Sequence, residues 1–172
     1  SIWERGVEAE ILPACRDNGI GFVPYSPLGR GFLAGTIRSL DDLPADDYRH
    51  NDPRYSPENL PKNLAIVDAI AAVAARHGVS NAQIALAWLL AQGDDIVPIP
   101  GVKRSETMRD SAGAPDVALS QADLDAIECL ETRVFAHDRL SRRSLARLLA
   151  GGRNGLIVAY GEAQLLGYGL VL

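Results

Sequence analysis

Residues 20–31 read Ile20-Gly21-Phe22-Val23-Pro24-Tyr25-Ser26-Pro27-Leu28-Gly29-Arg30-Gly31, and the order of residue types in this stretch decides the fold class. The apolar run 20–23 follows the helix-stop signal Asn18-Gly19 and ends at a proline, the pattern of a short buried strand. It opens straight into a glycine-rich turn. In α/β folds, turns at the carboxyl ends of strands are where ligands bind. Glycines let the backbone approach a phosphate, Ser26 can donate to one, and Tyr25 offers a flat face to a ring. The same residues also suit a tight turn around a core tyrosine, and spacing alone leaves both readings open. Gly29-x-Gly31-x-x-Ala34 fits a relaxed dinucleotide-binding fingerprint, but a proline-rich loop follows it instead of a helix of ordinary length.

Outward from this stretch, helix and strand patterns alternate. Residues 7–16 are helical in period, with Ile11, Leu12 and Cys15 on one stripe. Residues 38–62 hold four prolines among many Asp and Arg residues, and a loop of that length is usually functional or mobile. Leu64, Val67, Ala71 and Ala74, joined by Ile66, Ile70 and Val73, predict a mostly buried helix over 63–77, stopped at His77-Gly78. Ser80 and Gln83 form a capping box for the next helix, whose apolar stripe is Ile84, Ala87, Trp88 and Ala91. Residues 95–99 predict a second strand, 105–111 a short helix, and Ser120 with Asp123 caps a helix to about 131. Beyond that point the texture changes. Residues 139–150 predict a basic amphipathic helix with Leu140, Leu145, Leu148 and Leu149 inward. The runs 156–160 and 165–172 predict a hairpin around Gly161-Glu162-Ala163-Gln164.

The 172 residues are 47% hydrophobic and 23% charged, which excludes bulk disorder and an integral membrane protein. No apolar run nears the roughly 18 residues of a membrane span, and the length falls short of the about 250 residues of a complete (β/α)8 barrel. The chain opens on Ser1 with no basic segment and apolar stretch behind it, so we expect neither a leader nor a natural start, and a chain that is the back part of something longer. Cys15 and Cys129 are too far apart to suggest a disulfide framework, and with three scattered histidines they give no metal-ligand spacing. A reducing cytoplasm is the expected compartment. The net charge of −5 speaks against nucleic acid as a partner. It conceals a division: residues 1–131 carry 11 basic and 20 acidic side chains, hence −9, whereas 132–172 carry six and two, hence +4.

A second candidate turn is Ile99-Pro100-Gly101-Val102-Lys103-Arg104, again straight after a strand pattern. A paired Lys and Arg there can hold a phosphate, the guanidinium as a fork and the ammonium as a point charge. An exposed basic pair ahead of a helix is the competing reading. Taken in order, Trp3-Glu4-Arg5-Gly6, then 21–33, then Ala82-Gln83-Ile84-Ala85-Leu86-Ala87-Trp88-Leu89, then Ile96-Val97-Pro98-Ile99-Pro100-Gly101 resemble the C-terminal half of bacterial aldo-keto reductases over about 130 residues. The resemblance implies an α/β chain that is a partial TIM barrel, its last two or three βα units. It also implies NADPH-dependent reduction of a small aldehyde or ketone, without metal or flavin. By the same resemblance Tyr25 stacks on the nicotinamide, Ser26, Leu28 and Gly29 line the pyrophosphate, and Gly101, Val102, Lys103 and Arg104 face the adenosine end with its 2′-phosphate. The chain departs from the family at Asp110-Ser111, where Glu-Asn is usual, and nothing in it matches the family's Asp, Tyr, Lys and His tetrad. We therefore assign no catalytic residue. Tyr48, His50 and Tyr55 are read as residues of a solvated loop, His77 as a partner of its helix dipole and His137 as a linker residue.

The tail, Asp138-Arg139-Leu140-Ser141-Arg142-Arg143-Ser144-Leu145 through 155–159 and 165–172, resembles the opening of a GNAT-type N-acetyltransferase, short of that family's acetyl-CoA turn. The expected organisation is thus residues 1–131 as an NADP-binding reductase part and 132–172 as an acetyltransferase-like start, the whole a partial barrel with an appended helix and hairpin. Two other readings stand beside it: a non-catalytic nucleotide-binding remnant or fusion artefact, and an N-acetyltransferase fragment. No membrane partner is expected, and oligomeric state is left open.

Overall fold

The computed structural model describes the backbone of residues 1–134, 155–161 and 164–171, and the side chains of residues 1–128. Its helices are α1 (Ile11–Asp17), α2 (Leu60–His77), α3 (Asn81–Leu90), α4 (Ser105–Ala112) and α5 (Gln121–Val134). Short 3-10 turns at Gly6–Glu8, Gly29–Ala34, Leu40–Asp42, Tyr48–Asn51, Pro53–Tyr55 and Ala114–Asp116 join them.

Local chemistry explains the helix ends. At α1, Gly19 takes φ +64° and the Ile20 N–H reaches back to Cys15 O at 2.8 Å, a left-handed C-cap that a β-carbon would oppose. The helix starts later than the expected residue 7, because 6–8 form a separate 3-10 turn. Helix α2 starts earlier than expected, at Leu60, since Pro61 is tolerated in a first turn where no N–H partner exists. Its buried stripe is Ile66, Val67, Ile70, Val73 and Ala74, while Leu64 and Ala71 are only half-buried. That stripe faces α3 on one side and α5 on the other.

Helix α3 opens on the expected capping box: the Gln83 N–H donates to Ser80 Oγ and the Ser80 N–H to Gln83 Oε1, both at 3.1 Å. It is buried almost all round, from Ala82 through Leu89 apart from Gln83, as befits a helix with no polar face. Helix α5 is pinned where it meets α2. The Asp123 carboxylate accepts from Ser120 Oγ at 2.7 Å and from the Ser120 N–H at 3.0 Å, pairs with the Arg76 guanidinium, and lies 3.0 Å from His77 Nε2. His77, expected to act on its helix dipole, thus also faces a specific carboxylate.

The expected strands are the main correction. Residues 20–23 and 95–99 meet in one parallel bridge, Phe22 with Ile96, made by Phe22 N–H to Asp95 O at 2.7 Å and Val97 N–H to Phe22 O at 2.9 Å. In a parallel ladder the next donor is the N–H of residue 24, and Pro24 has none. On the other side the Ile20 N–H is already taken by the α1 cap. Both missing donors border the bridge, which holds two rungs. The loop 38–62 is likewise not the solvated segment expected: Ser39, Asp47 and Asp52 each cap a 3-10 turn, and Tyr55 is 2% exposed. Tyr55 packs edge-on to Phe32 at 5.4 Å and to Trp3 at 6.2 Å, and Trp3 stacks on Phe32 at 4.4 Å.

The expected hairpin is present as β1 (Gly155–Gly161) and β2 (Gln164–Val171), antiparallel from Gly155 with Val171 to Gly161 with Gln164, and bulged at Ala159/Tyr160. The expected helix over 139–150 lies outside the described residues. Among the described residues no helix is long and apolar enough to cross a membrane.

The Asp123 clamp has a pH signature. Its hydrogen bonds to Arg76, then Ser120 and His77, hold the carboxyl well below its ordinary 3.8. A carboxylate depressed on folding contributes fully at neutral pH, and that contribution drains away as the pH falls below about 4. Asp123→Asn should lower stability at pH 7 by about 1–2 kcal/mol, from a weakened cap and a lost ion pair. The gap to wild type should narrow towards pH 3. Urea midpoints measured across that range check it, and a gap independent of pH would remove the electrostatic account.

Candidate functional site

The parallel bridge orients everything that follows. Because Phe22 and Ile96 run the same way, both segments leave the pair at the same end, the first into Tyr25-Ser26 and the second into Pro100-Gly101. The two turns singled out in sequence thus follow the same end of the pair. Alternation carries over as well: Val23, Tyr25, Val97 and Ile99 are exposed, whereas Pro24 and Ile96 are buried.

The first turn is an unusual piece of backbone. Ser26, Gly29, Arg30 and Gly31 all take positive φ, at +46°, +56°, +55° and +93°, and two of the four carry side chains. Gly29 N–H donates to Ser26 O at 2.9 Å and Gly31 N–H to Leu28 O at 3.1 Å, closing two tight loops in succession. At Gly29 the reason for glycine is packing: an added β-carbon would sit 2.6 Å from Trp3 Cε3. Gly29 is buried against that indole, Leu28 is half-buried on the core, and Ser26 is half-buried beside Tyr25, which is 65% exposed.

Arg30, to which residue spacing assigns no role, organises this turn. Arg30 Nη2 donates to Tyr25 Oη at 3.2 Å, and its guanidinium carbon lies 5.3 Å from the centre of the Tyr48 ring. The Tyr25 phenol is shifted below its ordinary 10.0, first by that hydrogen bond. Arg30 is itself held, because Arg49 Nη1 donates to its carbonyl at 2.9 Å while Arg49 Nε and Nη2 grip the two Asp47 oxygens at 2.8 and 2.7 Å. The paired charges push the Asp47 carboxyl far down and the Arg49 guanidinium up. Nothing in residue spacing announces this contact, since Tyr48 comes 18 positions later.

In the second turn Gly101, Val102, Lys103 and Arg104 are all exposed, and Arg104 is the residue just ahead of α4 in extended conformation. Beside them lies an apolar cleft of about 360 Å³ walled by Leu86, Leu90, Pro98, Pro100, Val102 and Met108. Asp110 does not face a ligand here, for its Oδ2 accepts from Ser80 Oγ at 2.7 Å and so ties α4 to the cap of α3. The Ser111 hydroxyl is buried and has no hydrogen-bond partner. Among the described residues no cluster of His, Cys, Asp or Glu could hold a metal ion. His50, in the loop, pairs with Pro44 O at 2.9 Å.

Against known families, residues 1–131 match the model described as the Aldo/keto reductase family. The chain belongs to the aldo/keto reductase family. Two curated relatives agree: it is 48% identical over 120 residues to "Aldo-keto reductase yakc [NADP(+)]" of Schizosaccharomyces pombe, covering 70% of this chain and 35% of that protein. It is 46% identical over 127 residues to "Probable aldo-keto reductase 1" of Glycine max, covering 74% and 36%. The chain thus spans about a third of the length of these relatives. Among solved structures it is similar to the glycerol dehydrogenase AKR11B4 from Gluconobacter oxydans, with a TM-score of 0.68, 28% identity, and 78% of this chain and 41% of that chain covered. It is also similar to the thermostable aldo-keto reductase Tm1743, solved with the inhibitor epalrestat, with a TM-score of 0.53, 27% identity, and coverage of 75% and 36%. These neighbours indicate a TIM-barrel-type chain for this aldo/keto reductase part, although residues 1–134 hold a bridge where whole strands were expected.

The Trp3 contact makes Gly29 the turn's most sensitive position. Gly29→Ala combines a left-handed φ with a collision on a buried indole, and should cost about 1–3 kcal/mol. Gly101→Ala meets open space and should be near neutral. Thermal unfolding of the two variants checks this; equal midpoints would contradict the packing at Trp3.

Proposed function

We propose that residues 1–131 bind NADPH across the two turns and form the cofactor-holding part of a reductase that turns a small aldehyde or ketone into an alcohol. The observation that carries this is the shared exit of the two turns, with an exposed tyrosine ring on one and an exposed Lys-Arg pair on the other, in a chain of this family. The residues present suit such a group. The Tyr25 ring has its hydroxyl engaged by Arg30, which leaves an open ring available for stacking. Ser26, Leu28 and Gly29 form the bend beside it, to line a pyrophosphate. Gly101 and Val102 are open to an adenosine, and Lys103 and Arg104, both exposed, present cations to a 2′-phosphate.

When bound, NADPH supplies the hydride. This chain's residues then hold and orient it: Tyr25 fixes the plane of the reacting ring, and the basic pair selects the phosphorylated cofactor over NADH. The family's proton-donating tetrad is not carried over onto any position of this sequence, so no residue here is assigned to proton transfer. We read residues 132–172 as a separate, acetyltransferase-like segment, supported by the change from −9 to +4 at residue 131 and by the paired hairpin; binding of acetyl-CoA by the chain is not expected. A reducing, cytoplasmic setting fits the two distant cysteines.

Fluorescence titration of the full chain with NADPH and NADH tests the reading. Replacing both Lys103 and Arg104 by Ala should weaken NADPH binding about tenfold or more, given charge-assisted bonds worth about 1.5–3 kcal/mol, and leave NADH nearly unchanged. No carbonyl-dependent oxidation of NADPH is expected from this chain. Equal affinity of the wild type for the two cofactors would sink the phosphate assignment, and steady turnover would sink the absence of a proton donor.

A further inference from the structure

Tyr48 lies in the loop 38–62 and is exposed, and its ring lies within cation–π range of the guanidinium that donates to Tyr25 Oη. Three side chains thus form a row, Tyr25, Arg30 and Tyr48. We propose that Arg30 and Tyr48 are positioning residues for the Tyr25 ring, so that the loop 38–62 sets how firmly the first turn holds a stacked cofactor ring. The inference rests on the cofactor reading above, in which Tyr25 is the stacking surface.

The geometry constrains the row from both sides. An arginine side chain is long and loses about 2 kcal/mol of rotamer freedom if fully fixed, so one exposed hydrogen bond to a phenol does not hold it. Tyr48 supplies the second contact. The carbonyl of Arg30 is fixed by Arg49, which Asp47 fixes in turn, so the backbone that presents the guanidinium belongs to the same loop-to-turn tie. The charged and titratable groups facing Arg30 are Tyr25, Tyr48 and Asp52, and those facing Tyr25 are Arg30 and, as a hydroxyl, Ser26. Tyr48 therefore acts on Tyr25 only through Arg30. The contact on which the row depends is made by the Tyr48 ring.

Two measurements on the full chain test this. The first is ultraviolet titration of the phenols, with Tyr25→Phe used to assign the Tyr25 component. Arg30→Gln should move that component up towards 10, Tyr48→Ala should move it part of the way, and Tyr48→Phe should leave it at the wild-type position. The second is NADPH affinity. Tyr48→Ala should weaken binding about two- to fivefold, the range for an exposed cation–π contact, Tyr48→Phe should restore it, and Tyr48→Ala should add nothing in an Arg30→Gln background. Because Tyr48 is exposed, unchanged circular dichroism is expected in every variant. A Tyr48→Phe chain as weak as Tyr48→Ala, or additive losses in the double variant, would overturn the row. If the wild type fails to bind NADPH, the cofactor reading fails, while the phenol titration still decides whether Tyr48 governs Tyr25 through Arg30.

Discussion

The indole of Trp3 occupies the space that a β-carbon on Gly29 would need, and the rest of the architecture leans on that contact. One face of the ring stacks on Phe32, Tyr55 packs against it in a T-shaped pair, and the Arg54 guanidinium lies 4.9 Å from its centre. Three stretches far apart in sequence, around residues 3, 32 and 55, are joined by this single side chain. Aromatic contacts of this kind add about 0.5–1.5 kcal/mol per pair beyond the burial of the rings. Surface ion pairs such as Arg38 with Asp68 are worth about 0–1 kcal/mol each. The cluster outweighs them. It does so by shape, for Trp3 Nε1 is buried with no hydrogen-bond partner among the described residues, a penalty of about 1–3 kcal/mol that the packing must exceed.

A second constraint is the supply of backbone donors. The bridge between Phe22 and Ile96 stops because Pro24 lacks the N–H for the next rung and Ile20 has given its own to the α1 cap. Past Ile96 the segment carries Pro98 and Pro100, which leaves those positions without donors on the edge away from Phe22. The pair is thus bordered by missing donors on the shared edge at Pro24 and on the outer edge at Pro98 and Pro100, and both segments leave it at the same end.

What was legible in the sequence is what depends on neighbours within about five residues. The capping boxes at Ser80 with Gln83 and at Ser120 with Asp123, and the glycine stop at Gly19, are written in adjacent residues and appear as read. The hairpin of β1 and β2 belongs to the same class. Strand length was not legible, because the composition of 20–23 says nothing of how many rungs a distant partner can offer. Tyr55 was misread for a related reason: its loop is polar in sum, and only the fold brings it to Trp3 and Phe32. Asp110 was noticed as a departure from the family, but its bond to Ser80 requires α3 and α4 to meet. The role of Arg30 needed Tyr48, a residue whose nearness is set by the 3-10 turns between them.

The first turn sets backbone comfort against side-chain order. Ser26 and Arg30 hold left-handed conformations that cost a non-glycine residue about 1–2 kcal/mol each. A glycine at position 30 would relieve half of that strain. It would also delete the guanidinium that fixes Tyr25 and rests on Tyr48, freeing an exposed ring to rotate. Strain of this size persists only where surroundings over-determine the conformation. Here they do, through Trp3 beneath Gly29 and through Arg49 on the Arg30 carbonyl. A turn held this way is already in one shape before any ligand arrives, so less ordering entropy is lost on binding. At position 30 the side chain's contacts to Tyr25 and Tyr48 thus offset a backbone conformation that glycine would adopt without cost.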